Sequence, residues 1–175
     1  MKRMSILVLV AMLFSLGLTA CGGGATAGDP IATVKEMMQV VADKKMDKIV
    51  DYACASQKEA VKKQFDFASA LGGAGMDPQK VLDALNISFE NPEYTKVSES
   101  GDKATVHMKA KLVMKIDKEK FKSLVAEIMK AQGQELPAEQ IDPLIEQMAT
   151  QFEQGQAVDN DIQLVKENGK WLVCQ

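Results

Sequence analysis

The feature that most constrains the fold of this chain is a long stretch of alternation between residues 104 and 117. Apolar side chains occupy its even positions, which are Ala104, Val106, Met108, Ala110, Leu112, Met114 and Ile116. Most of the odd positions carry polar or charged side chains. Because successive side chains of a strand point to opposite faces, the pattern predicts one strand with a buried face and a solvated face.

Two further strand signals accompany this strand. Residues 87–98 are its expected antiparallel partner, interrupted at Pro92 and joined to it by a turn at residues 100–102. The chain closes with a second hairpin, formed by residues 162–167 and 170–174.

The turn of that second hairpin is Asn168-Gly169, the strongest short-range hairpin signal in a sequence. A two-residue loop there places Leu164 opposite Val173 and Val165 opposite Leu172.

Helical spacing precedes and interrupts these strands. Asp29 and Pro30 suit the N-cap and first position of a helix, so the first helix is expected to begin there. Further helices are expected over residues 46–55, 57–71, 77–85 and, as an amphipathic pair with its corner at Gly133 and Pro137, 118–155. Helices followed by an antiparallel sheet make an α+β domain, expected to span residues 29–175.

The first 20 residues form a predicted export signal. Lys2 and Arg3 precede an apolar run over residues 6–18, and residues 18–21 read Leu-Thr-Ala-Cys. This order resembles the bacterial lipoprotein signal, which implies that Cys21 is lipidated with fatty acyl chains such as palmitate and becomes the mature N-terminus. The alternative of a permanent membrane span is disfavoured because the run is shorter than the roughly 20 residues needed.

The lipoprotein resemblance implies a cellular location as well as the lipidation of Cys21. The domain is expected in the cell envelope, anchored by lipid to the outer face of the plasma membrane or to the outer membrane. Residues 21–28, the lipidated cysteine and a glycine-rich stretch, are the expected tether.

Charge argues against nucleic acid as a partner. The net charge is −3, and the only arginine, Arg3, lies in the predicted signal. Nucleic-acid-binding domains usually display a basic patch, and arginine is the preferred residue for bidentate phosphate recognition.

With Cys21 lipidated, Cys54 and Cys174 remain as an even pair in an oxidising compartment, which predicts a disulfide. Two buried free thiols, or pairing with another chain, are the alternatives. Two cysteines and one histidine are too few for the four ligands of a structural zinc site, and no cofactor is expected.

Three segments resemble cystatin-like domains related to nuclear transport factor 2. They are residues 33–38 leading into 41–48, residues 100–106, and residues 164–171 with Trp171 after a Gly-Lys turn. The resemblance implies N-terminal helices packed on a curved, cone-like antiparallel sheet, and it extends to small bacterial lipoproteins of unknown function. The helical pair at 118–155 departs from the pattern and is interpreted as an insertion.

Catalysis is not expected. His107, the only histidine, falls on the solvated face of the long strand among lysines, and the apolar face carries no titratable group. No Gly-x-Ser-x-Gly nucleophile motif is present.

A cavity rich in methionine is the candidate binding site, with a predicted lining of Phe65, Phe89, Met108, Leu112, Met114 and Trp171. Alternatively, the methionines belong to an ordinary core that is poor in aromatic residues. Trp171 is then a residue that fills the core and does not contact a ligand. The helical pair either caps the sheet or forms a groove for a partner or an acyl chain. The expected function is non-catalytic binding of a small apolar ligand or an envelope protein, with a lipid carrier and a pocket enzyme as alternatives.

Overall fold

A computed structural model describes residues 28–66, 77–131, 133 and 138–174. The predicted signal, nearly all of the predicted tether, and Pro137 lie outside these residues. The helical elements are α1 (Pro30–Ala42), the 3₁₀-helix η1 (Met46–Tyr52), α2 (Lys58–Gln64), α3 (Pro78–Asp83), α4 (Lys118–Ala131) and α5 (Ala138–Glu153). The strands are β1 (Leu85–Ser100), β2 (Lys103–Ile116), β3 (Gln156–Glu167) and β4 (Lys170–Val173).

The strands form one curled antiparallel sheet in the order β1-β2-β3-β4, with the first helices preceding it in the chain. The predicted α+β class is therefore confirmed. In the described part of the chain, none of the helices is long and apolar enough to span a membrane.

Helix α1 begins where the sequence predicts. The Asp29 carboxylate accepts a hydrogen bond from the Ile31 N–H at 3.0 Å, and Pro30 occupies the first turn. Helix α3 begins in the same way, because the Asp77 carboxylate accepts a hydrogen bond from the Gln79 N–H at 2.9 Å and Pro78 follows it. An N-cap acceptor satisfies one of the free N–H groups at the start of a helix, which explains both boundaries.

The next two helices are shorter than predicted. The expected helix over 46–55 is the 3₁₀-helix η1, and the expected helix over 57–71 is helical from Lys58 to Gln64. The last part of that expected helix, from residue 67, lies outside the described residues, as do the glycines at 72–75.

The hairpin β3–β4 has the predicted register. Leu164 pairs with Val173 and Val165 with Leu172. Asn168 and Gly169 both adopt positive φ, at 53° and 80°. A two-residue turn that matches the twist of its strands requires this conformation, and Asn-Gly adopts it readily.

Strand β3 is much longer than predicted, because it begins at Gln156 rather than at residue 162. Its first half pairs with β2, from Gln156 opposite Leu112 to Asp161 opposite His107. Strand β1 likewise extends beyond the predicted 87–98, and Pro92 lies at a shift in its register with β2.

The main core lies on the even-numbered face of β2, as predicted, as far as Ala110. Helix α1 packs across this face, and Val34, Val106, Met108, Leu164 and Trp171 are almost completely buried there.

Beyond Ala110 the prediction of one buried face is met only in part, because Ile116 is buried as predicted but positions 112–114 are not arranged as predicted. Val113, an odd position, is buried, whereas Leu112 and Met114 are half-buried. A Cβ added to Gly155, which connects α5 to β3, would lie 3.0 Å from Val113 Cγ2, so this connection lies beside Val113. Val113 is therefore buried at a position that the alternation marks as solvated.

Of the helical pair, α5 is the helix that contacts the sheet. Ile141, Ile145 and Ala149 of α5 are buried, and α5 packs against both β2 and α4. Ion pairs join the two helices, from Lys118 to Glu146 and from Lys122 to Asp142, each at 2.6 Å.

Candidate functional site

An apolar cavity of about 260 Å³ lies between α1, η1 and α2; we call it the helical cleft. Its wall includes Met37, Met38, Val41, Ile49, Val61 and Phe65. Val173 of β4 also lines it. Methionine side chains are flexible and polarisable, so this wall can adjust to ligands of different shape.

A disulfide fixes one side of the helical cleft. Cys54, two residues after the end of η1, is bonded to Cys174, directly after β4, with their Cα atoms 5.3 Å apart. The Cys54 N–H also donates to the Val173 carbonyl at 2.9 Å. The predicted disulfide is therefore confirmed, and it holds η1 against β4 beside the cleft.

The polar groups described in the helical cleft are neutral. They are the amides of Gln57 and Gln64 and the phenol of Tyr52. Burial raises the pKa of Tyr52 above its ordinary value, and the nearby carboxylates of Glu36 and Asp51 raise it further. Tyr52 is therefore protonated at neutral pH, and the cleft suits an uncharged ligand.

A second cavity, of about 560 Å³, lies between α1 and β3; we call it the edge cleft. Met37 and Met38 line it too, together with the apolar Met108, Val158 and Ile162 and the polar Asn160, Asp161 and Gln163. The two methionines of α1 thus separate the helical cleft from the edge cleft.

The six residues predicted to line one cavity are not all brought together. Phe65 lines the helical cleft, whereas Met108 lines the edge cleft. Trp171 is completely buried in the main core, and Phe89 packs against the same core. Leu112 and Met114 are half-buried on β2, opposite Phe89 and Ile87 of β1.

Met37 and Met38 line both clefts but are not among the six residues predicted to line a cavity. Their spacing in the sequence marks them only as apolar positions of the first helix. Two adjacent methionines cannot both point to the centre of one helix face, and this places one at each side of α1's buried stripe.

His107 lies on the opposite face of the sheet, with its side chain about one-third exposed. Its Nδ1 is 2.8 Å from Asp161 Oδ1, and its Nε2 is 3.3 Å from Asp159 Oδ1. Both carboxylates belong to the part of β3 that the sequence analysis did not identify as a strand. Among the residues that the structure describes, no group of three or more His, Cys, Asp or Glu side chains is arranged to hold a metal ion.

No family model matches the sequence, and no curated protein is found to be similar to it. The resemblance to cystatin-like domains therefore stays a prediction, with which the order of helices and curled sheet is consistent.

Proposed function

We propose that this chain is a lipid-anchored binding module of the cell envelope that holds a small, uncharged, apolar ligand in the helical cleft. The observation that carries the proposal is the cleft itself, a cavity walled by methionine, aliphatic and phenylalanine side chains. Apolar cavities with a few placed polar groups are the usual form of small-molecule sites.

The volume of the cleft favours a small ligand over a lipid cargo. At about 260 Å³ it lies just below the range of about 300–1,000 Å³ that is typical of sites for drug-sized molecules. Several acyl chains, as a lipid carrier would hold, need more space. The lipid-carrier alternative is accordingly the weaker one.

The chemistry of the cleft favours binding over catalysis. Its described wall presents two side-chain amides and one phenol of raised pKa as polar groups. General acid–base catalysis needs a group whose pKa lies near the working pH. The helical cleft has the properties of a receptor for an apolar molecule.

The proposed location in the cell envelope rests on the N-terminal sequence, and the disulfide is consistent with it. Structural disulfides persist in oxidising compartments outside the cytoplasm. A short glycine-rich tether after Cys21 would hold the domain close to the membrane surface.

The ligand proposal predicts that the full-length protein, purified in detergent, binds the uncharged apolar dye N-phenyl-1-naphthylamine saturably. Val61→Phe adds a ring inside the helical cleft and is expected to weaken binding by about tenfold, or ~1.4 kcal/mol. Dye fluorescence measures the affinity, and native mass spectrometry of the exported protein identifies a natural ligand by its extra mass.

The matched control is Val97→Phe, because Val97 is 57% exposed on β1. This variant makes the same chemical change outside the cleft and is expected to bind like the wild type. Equal affinities for the two variants, or dye binding that does not saturate, would contradict the assignment of the ligand to the helical cleft.

The anchor is tested separately. Cys21→Ser removes the thiol that would be lipidated, and we expect an unprocessed precursor that incorporates no radiolabelled palmitate. Thr26→Ser, a conservative change in the same segment, should be processed and labelled normally. If Cys21→Ser is processed and membrane-bound like the wild type, the lipoprotein assignment is wrong.

A further inference from the structure

Strand β3 is paired unequally on its two edges. Its inner edge pairs with β2 from Gln156 to Val165, whereas its outer edge pairs with β4 over residues 164–167. One further bond, from the Cys174 N–H to the Gln163 carbonyl, extends the outer pairing. Among the described residues, no strand pairs with the outer edge over residues 156–162. We call this segment the β3 edge.

The bond to Gln163 identifies which groups of the β3 edge face outward. In an antiparallel sheet, the residues that bond to one neighbour alternate with those that bond to the other. Since Gln163 bonds outward to Cys174, the next outward-facing N–H and C=O groups belong to Asp161, Asp159 and Ala157. Such a row of backbone groups is a template for an additional strand.

The edge cleft lies beside this row. Val158 and Ile162 of the β3 edge line it, facing Met37 and Met38 of α1. A strand added to the β3 edge would direct every second side chain toward this cleft. The methionines provide an adaptable apolar surface for those side chains.

The other face of the β3 edge is acidic. The side chains of Asp159 and Asp161 are about 60% exposed there. From the inner side, the groups of β2 opposite them are Lys109 and His107. Opposite charges on neighbouring strands are favourable, so basic side chains on an added strand would balance these carboxylates from the outer side.

The same acidic pair argues against a second copy of the chain as the occupant. Two β3 edges related by a twofold axis near residue 160 would place Asp159 and Asp161 of one copy against those of the other. Like charges directly opposite each other on paired strands are destabilising. The charge pattern therefore favours a different partner, with basic side chains.

We propose that the β3 edge binds an extended segment of a partner protein, in which apolar and basic side chains alternate, as an additional antiparallel strand. The chain contains an internal example of such a segment. Residues 106–111 of β2 read Val-His-Met-Lys-Ala-Lys and pair with the same part of β3 from its inner side. This surface is separate from the helical cleft and does not depend on the ligand proposed for it.

The test uses the full-length protein and a fluorescein-labelled synthetic peptide with the sequence of residues 105–112. We expect saturable binding by fluorescence anisotropy that weakens as salt is added, because the surface carboxylates are screened. A peptide in which the histidine and both lysines are replaced by glutamate is the control and should not bind. In the wild-type protein, bound peptide should slow amide hydrogen exchange at Ala157, Asp159 and Asp161.

Two variants of Asp159 separate the contribution of its backbone N–H to peptide binding from that of its carboxylate charge. Asp159→Pro removes an outward N–H that β2 does not use, and is expected to weaken peptide binding by about tenfold or more. Asp159→Asn keeps the N–H and removes the charge, so a weakening of about two- to fivefold is expected. Circular dichroism checks that both variants fold; if Asp159→Pro does not, the exchange measurements on the wild type decide.

The proposal would be overturned if the peptide did not bind, if it bound Asp159→Pro and the wild type equally well, or if its binding protected amides away from the β3 edge. It would also be overturned by a dimer in sedimentation whose β3 edge is protected without peptide, since a second copy would then occupy the surface.

Discussion

Replacing Cys54 and Cys174 together by alanine is expected to lower the free energy of unfolding by about 4–5 kcal/mol. The two cysteines are separated by 120 positions, and cross-linking so long a segment restricts the unfolded chain strongly. The loss is a large fraction of the 5–15 kcal/mol that is typical of a natural domain. Urea denaturation followed by circular dichroism measures it.

Reductant provides the control for this experiment. Wild-type protein treated with a phosphine reductant should approach the stability of the double variant, and the double variant should not respond to reductant. A loss of stability smaller than about 1 kcal/mol would mean that the unfolded chain is already compact around these positions.

Trp171→Ala is expected to cost about 3–5 kcal/mol, the range for emptying a large aromatic position in a core. Trp171 is completely buried, in the cluster that joins α1 to the sheet through Val34, Val106 and Leu164. Lys166 Nζ lies 5.5 Å from the centroid of the indole ring and loses that contact as well. Thermal and urea unfolding measure the change.

Trp171→Phe tests whether the loss of stability comes from the volume of the side chain or from hydrogen bonding by the indole N–H. The indole Nε1 is buried and has no hydrogen-bond partner among the described residues, so removing its N–H leaves no acceptor unsatisfied. The phenylalanine variant should therefore lose less stability than the alanine variant. Val97→Ala, at an exposed position, should stay within about 0.5 kcal/mol of the wild type. A Trp171→Ala variant as stable as Val97→Ala would contradict the assignment of this residue to the core.

The features that the sequence predicted correctly are those that local chemistry determines. The Asn168-Gly169 turn sets its own hairpin register, because both residues accept positive φ and a two-residue loop allows few pairings. The start of α1 follows from the Asp29 carboxylate and the fixed φ of Pro30. In each case, residues within one turn of each other contain the necessary information.

The features that the sequence did not predict depend on packing between distant segments. Residues 156–161 have little apolar alternation, and they form a strand because β2 offers them a partner. Val113 is buried beside Gly155, where the chain passes from α5 to β3. Both effects depend on the path of the chain after β2, which local propensity does not determine.

The same reasoning applies to the candidate sites. Methionine content indicated an adaptable apolar surface, and Phe65 does lie in the helical cleft. The position of the cleft depends on how α1, η1 and α2 pack, so the remaining candidates lie in the core or on β2. The β3 edge follows from the length of β4 relative to β3, which only the assembled sheet reveals.

The disulfide also determines how the domain would carry mechanical load. Tension applied between Gly28 and Cys174 travels through α1 and η1 to Cys54, and then crosses the sulfur bridge directly. The residues between the two cysteines lie outside this covalent path, and they include all four strands. If the domain were held at its N-terminus and pulled at Cys174, this path would load its first helices and leave its strands outside the covalent line of force.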